Sequence, residues 1–201
     1  MRRLFFFIIL LILPLFLASG CGSSEKIGNK SNLSDSGSES KAMKVVVEGG
    51  GKFPEFLAGK WKGDDTQWEF VFEEDGRISS AVIEFGNIKL RPGKTTTKPS
   101  RYGGKGVYTP GKWLVAYDTR QNILSVIIEV KHFYQDMKDS ALEGSRTDIL
   151  SGKVDANSGY WEAGWHSKQT YIAHLAKQDK PVKFEDRKEP VFRRNVFFRK
   201  Q

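Results

Sequence analysis

From Trp68 onward the chain changes side at nearly every residue, and this constrains its fold more than any other feature. Trp68, Phe70 and Phe72 share one parity, while Gln67, Glu69, Val71 and Glu73 share the other. A period of two puts one set on each face of a strand, whereas a helix would need its apolar residues three and four apart. Glu74-Asp75-Gly76 supplies a turn, and Arg77 to Phe85 brings the chain back. A second hairpin follows, with Trp113, Val115 and Tyr117 alternating, a turn at Asp118 to Asn122, and Leu124, Val126, Ile128 and Val130 alternating again. A third runs from Asp148 to Val154, turns through Asp155 to Gly159, and returns from Tyr160 to Ser167. Val191 to Arg199 reads as a closing strand, and Gln169 to Gln178 as a short helix. Strands joined in order by short turns predict an all-β domain, an antiparallel meander closed as a small barrel or folded as a sandwich. Residues 45-201 suffice for one such domain with its own core.

The N-terminus follows a different rule. Met1-Arg2-Arg3 is positive, Leu4 to Leu17 holds fourteen residues with no polar side chain, and Ala18-Ser19-Gly20 is small. This order is that of a secretory signal peptide, and the apolar stretch is shorter than the ~20 residues a spanning helix needs. Ala18-Ser19-Gly20-Cys21 resembles the lipobox of bacterial lipoproteins, with Ala18 where Leu is commonest. The resemblance covers about the first twenty-two residues. It implies cleavage between Gly20 and Cys21, and a diacylglycerol thioether and an N-acyl chain such as palmitate on Cys21. Cys21 is the only cysteine, so no disulfide within the chain can form, and lipidation accounts for a lone thiol in an exported protein. Acyl chains in this number meet the two-signal requirement for stable anchoring. Gly22 stands where an Asp would favour inner-membrane retention, so the resemblance implies the outer membrane. Residues 21-44, after the signal peptide at 1-20, are rich in Ser, Gly, Asn and charge and lack aromatics. That composition predicts a flexible tether between lipid and domain.

Gly59-Lys60-Trp61, ahead of the first strand pair, resembles the Gly-x-Trp signature of lipocalins and related barrels. The resemblance implies a barrel shape. Thr147-Asp148 is followed by Ile149 instead of the family's aromatic, so the likeness carries no ligand with it.

Charge is unevenly placed. The formal net charge is +8, and +6 without Arg2 and Arg3. Residues 177-201 hold nine Lys or Arg against four acids, and residues 86-117 hold seven against none, so the rest of the mature chain carries −6. The stretch from Arg91 to Lys112 reads as a loop rich in Pro, Gly and Thr. Its region includes Lys89, Arg91, Lys94, Lys98, Arg101 and Lys105. These residues suit either anionic lipid, lipopolysaccharide or another envelope component, at ~1 kcal/mol per cation near an anionic surface, or simple solubility. Export argues against nucleic acid as the partner.

Catalytic patterns are not evident. His132 has the parity of the Leu124-to-Val130 face and reads as an edge-of-core residue. His166 and His174 are eight apart with no carboxylate at metal-ligand spacing, and no nucleophile elbow, zinc-protease motif or phosphate loop occurs. Asp64-Asp65, Glu73-Glu74-Asp75 and Glu185-Asp186 read as turn and loop acids. The expectation is a non-enzyme without cofactor or metal. Trp68, Phe70, Trp113, Trp161 and Trp165 are the candidates for a ligand pocket, with core filling as the competing reading. Two functions follow: an envelope lipoprotein whose β domain binds a ligand or partner, or an assembly lipoprotein acting through its basic regions.

Overall fold

The computed structural model describes residues 42–100, 103–137, 139–176, 180–185 and 192–201. The signal peptide, Gly20, Cys21, most of the tether and Arg101 lie outside the described residues. The described part is all-β. In chain order the strands are β1 (Met43–Glu48), β2 (Gly59–Gly63), β3 (Glu69–Phe72), β4 (Ile78–Ile83), β5 (Ile88–Leu90), β6 (Thr96–Pro99) and β7 (Lys105–Pro110). They continue with β8 (Trp113–Asp118), β9 (Ile123–Met137), β10 (Ser140–Asp155), β11 (Tyr160–Leu175), β12 (Val182–Glu185) and β13 (Phe192–Lys200). A 3-10 turn, Glu55–Leu57, precedes β2.

The sheet is a meander that wraps toward closure. β2 to β5 pair in sequence, β8 to β11 pair in sequence, and β13 joins the two runs by pairing with both β11 and β2. β7 and β8 lie end to end along β9, with Gly111 between them. Gly111 N–H and Trp113 Nε1–H both donate to the Glu129 carbonyl, which holds the break in place. The ladder is open between β5 and β6. Side chains cross the gap: Thr96 Oγ1 donates to the Lys89 carbonyl and Lys98 Nζ to that of Asn87. β1 departs from the meander by pairing with β8 in parallel. It covers the lower part of the same gap, where the Ile78 N–H points at Met43 Sδ, 3.2 Å away.

The three alternating hairpins appear where their periodicity puts them. Trp68, Phe70 and Phe72 of the first, Trp113 to Tyr117 and Leu124 to Val130 at alternate positions of the second, and Leu150, Val154, Trp161 and Trp165 of the third all face the core. Trp61 of the Gly-x-Trp motif is fully buried and donates its indole N–H to the Leu57 carbonyl, tying the 3-10 turn beneath β2.

Four expectations change. The stretch 169–175 is the upper part of β11 and not a helix; there Gln169, Tyr171 and Ala173 keep the inward parity of Trp165. The basic segment from Arg91 to Lys112 is not a loop, because Thr96–Pro99 and Lys105–Pro110 form a hairpin that docks on β9. Pro99 and Pro110 sit at strand ends and Pro92 in a turn, where a missing N–H is tolerated. Ordered structure begins before Val45, since Met43 opens β1. His132 is exposed, because β9 carries an extra residue between Val130 and Phe133 relative to β10. The bulge flips parity there and turns Phe133 inward in place of His132.

Candidate functional site

The strands differ greatly in length, and that difference creates the site. β9, β10 and β11 have 15, 16 and 16 residues, whereas β2 to β5 have between three and six. At the lower end β2, β3, β8 and β13 pair with or beside the long strands, and their inner residues are buried. At the upper end β9 and β11 exchange partners, pairing with β7 and β12 in place of β8 and β13, and their inner faces border clefts.

Two adjoining clefts occupy that end. The larger, about 680 Å³, is lined by the β4–β5 turn, including Glu84, Phe85 and Asn87, by Lys98 and Tyr108, and by Gln135, Met137 and Leu142 of the long strands. The smaller, about 380 Å³, is lined by Phe85, Phe133, Leu142, Gln169, Tyr171 and Ala173. Both volumes fall in the usual range of ligand sites, roughly 300–1,000 Å³. Phe85 and Leu142 belong to both and join them into one mouth. Its walls are mainly apolar at Phe133, Leu142, Tyr171 and Ala173, with amides interspersed. Burial pushes the Tyr108 phenol above its ordinary pKa, so it stays protonated at neutral pH.

A buried ion pair lies against two of the lining residues, Phe85 and Gln169. Arg146 Nε and Nη2 donate to Asp148 Oδ2 and Oδ1 at 2.8 and 2.9 Å, and Trp165 Nε1 donates to the same carboxylate at 2.9 Å. Asp148 is fully buried and the Arg146 side chain only 10% exposed. The guanidinium sits against two rings, 5.1 Å from the centre of Phe85 and 5.9 Å from that of Trp165, within cation–π range. Its Nη1 reaches Gln169 Oε1 at 3.4 Å. Thus Phe85 and Gln169, which line the mouth, also touch the buried arginine. Ser167 pairs across the ladder with Asp148 and is 4% exposed. Its hydroxyl, like the indole N–H of Trp68, has no partner among the described residues.

The five aromatics expected to line a pocket fill the core instead. Trp68, Phe70, Trp113, Trp161 and Trp165 are 0–2% exposed, and none lines the clefts described here. Trp68 stacks on Phe70 at 5.5 Å and meets Trp165 edge-on at 5.6 Å, while Phe70 contacts Trp161 and Phe198 at 6.0 and 5.6 Å. They come from the lower and middle levels of their strands, where opposing inner faces approach most closely.

The basic residues spread over several places. Arg91 and Lys94, with Arg77, line a third cleft of about 370 Å³ at the seam below the β5–β6 gap, where Glu73 faces them. Lys98 sits at the mouth, Lys89 points outward from β5, and Lys105 is exposed at the start of β7. His174 Nε2 lies 3.1 Å from Glu143 Oε1 at the surface. Among the described residues no group of three His, Cys, Asp or Glu could hold a metal ion, and no helix is long and apolar enough to cross a membrane.

One signal in the sequence pointed to the buried pair that two of the wall residues, Phe85 and Gln169, touch. Arg146 and Asp148, two apart, share the inward parity of Leu150 and Val154, so opposite charges occupy adjacent core-facing positions. The wall residues Phe85, Leu142 and Tyr171 carried no such mark.

Fold and site together define an all-β meander domain with a lined mouth at one end. The chain matches no protein-family model, no curated protein and no solved structure.

Proposed function

We propose that this chain is an exported lipoprotein of the bacterial cell envelope, held at the outer membrane by acyl chains on Cys21. Its β domain binds an envelope ligand in the mouth without catalysing a reaction. The observation that carries the binding reading is the pair of joined clefts, about 680 and 380 Å³, with apolar walls and a few polar groups, Lys98, Gln135 and Gln169 among them. Apolar walls with a few polar groups converging on one spot are the common composition of a small-molecule site. Cleavage between Gly20 and Cys21 and lipidation of Cys21 rest on the lipobox resemblance. Replacing Cys21 by Ala tests the anchor: labelling by radioactive palmitate is expected to vanish and uncleaved precursor to accumulate. Unchanged labelling would exclude Cys21 as the acceptor.

A second reading, assembly through basic surfaces, is favoured by Arg77, Arg91 and Lys94 gathering at the seam cleft. Cations grouped this way would attract an anionic polymer or headgroup, and the attraction would weaken with salt. Partner retention that survives high salt would count against it.

A further inference from the structure

We infer that the mouth takes a single-chain phospholipid with a zwitterionic head, its acyl chain in the smaller cleft and a phosphoethanolamine group in the larger. This inference rests on the ligand-binding reading and specifies its substrate class. The two clefts differ in chemistry. The smaller is lined by Phe85, Phe133, Leu142, Tyr171 and Ala173, with Gln169 as its one amide. Hydrocarbon is the occupant such walls favour. Glu84 and Lys98 are the only charged residues that line either cleft, and both belong to the larger one, among amides and the neutral Tyr108 phenol.

Neither charge has a counter-ion among the described residues. The Glu84 carboxylate accepts from the Gln67 N–H at 2.6 Å, and Lys98 Nζ donates to the Asn87 carbonyl at 2.9 Å. The two are near one another without being paired. Asn87, which holds Lys98, follows Glu84 by three residues, a reach of at most about 11 Å. Lys98 is exposed and Glu84 half-buried, so water solvates both. An occupant of the cleft displaces that water, and each charge then needs an opposite one in its place. An uncharged head would strand both. An anionic head would satisfy Lys98 and confront Glu84. Phosphate and ammonium joined by an ethylene arm answer both together. Arg146, which touches Phe85 and Gln169, makes no third demand, because Asp148 already neutralises it.

The test uses isolated envelopes carrying the full-length protein and three diazirine probes of equal chain length: lysophosphatidylethanolamine, lysophosphatidylglycerol and monoacylglycerol. Crosslinked peptides are mapped by mass spectrometry. The phosphoethanolamine probe is expected to label the segments around Phe85, Leu142 and Tyr171 at the lowest concentration. Its half-labelling point should lie about two- to fivefold below that of the phosphoglycerol probe, the size of one exposed ion pair. Glu84→Gln keeps an acceptor for the Gln67 N–H and is expected to abolish that preference. Lys98→Met is expected to weaken labelling by both phospholipids and leave monoacylglycerol unchanged, a split that general loss of structure would not produce. Equal or stronger labelling by the phosphoglycerol probe overturns the zwitterionic head. So does a preference that survives Glu84→Gln, or phospholipid labelling that Lys98→Met leaves unchanged. Ligand binding stands in each of those cases. Failure of all three probes to label the mouth removes the ligand-binding reading itself.

Discussion

The two ends of this domain are built from the same strands by the same alternation, yet one is solid and the other open. At the lower end Trp61, Phe70, Phe72, Trp161 and Phe198 are 2% exposed or less, and Trp161 stacks on Phe198 with ring centres 4.6 Å apart. At the upper end Leu142 and Tyr171 occupy inward positions but stay half-buried, because they line the clefts. An inward position fills only if another strand stands opposite it. The boundary between the regimes is the Arg146–Asp148 pair, level with the bulge in β9 that turns Phe133 inward.

The sharpest way to test this contrast is truncation at each end. Phe70→Ala should cost about 3–5 kcal/mol of unfolding free energy, the usual loss for a core phenylalanine. Leu142→Ala should cost about 1 kcal/mol, since a half-buried side chain forfeits only part of its transfer energy. Urea denaturation of both variants in the same full-length background checks the difference, and equal losses would mean the mouth is as tightly packed as the base.

The boundary layer should respond differently. Arg146→Met leaves Asp148 buried without its cation, and a loss of about 3 kcal/mol is expected. Adding Asp148→Leu removes the stranded charge and should recover most of that loss. A double variant no more stable than the single would show that the pair is not the electrostatic unit described. This measurement separates a charge effect from the volume effect tested at Phe70.

The smallest effect belongs to the β10–β11 turn at the closed end. The Ser158 hydroxyl, followed by the Asn157 N–H, holds the Asp155 carboxyl below its ordinary pKa. A folded-state value below the unfolded one means that its contribution is present above the unfolded pKa. It is lost as pH falls through the folded value. In Ser158→Ala the Asp155 pKa, followed by NMR titration, should rise toward the ordinary carboxylate value, and stability at low pH should fall slightly less than in the parent chain. An unmoved pKa would mean that the hydroxyl is not what stabilises the carboxylate.

How far the fold was legible follows from these elements. Each run that alternates apolar and polar residues between two turns appears as a strand with the expected face inward, from Trp68–Phe72 to Tyr160–Ser167. The errors fall where local pattern is silent or overridden. Gln169 to Ala173 mixes polar and apolar residues on its inward face because that face borders a cleft, so its strand character was masked. The basic segment around Lys94 and Lys105 lacks apolar alternation because β6 lies at a sheet edge beside the gap, largely exposed. The parity of His132 failed because a bulge depends on the partner strands. The site suffered most: five aromatics stood out by size, yet size drew them into the core, and the mouth fell to Phe85, Leu142, Tyr171 and Gln169.

By itself the amino-acid sequence determined the strands, faces and turns of the three alternating hairpins, because a side chain's alternation and a glycine's freedom act over a few residues. It also carried the buried opposite charges at Arg146 and Asp148, legible from parity alone. Only the tertiary structure decided which inward faces meet a partner and which look onto a cleft. That depends on where strands distant in sequence begin and end against one another, and short-range pattern does not encode it.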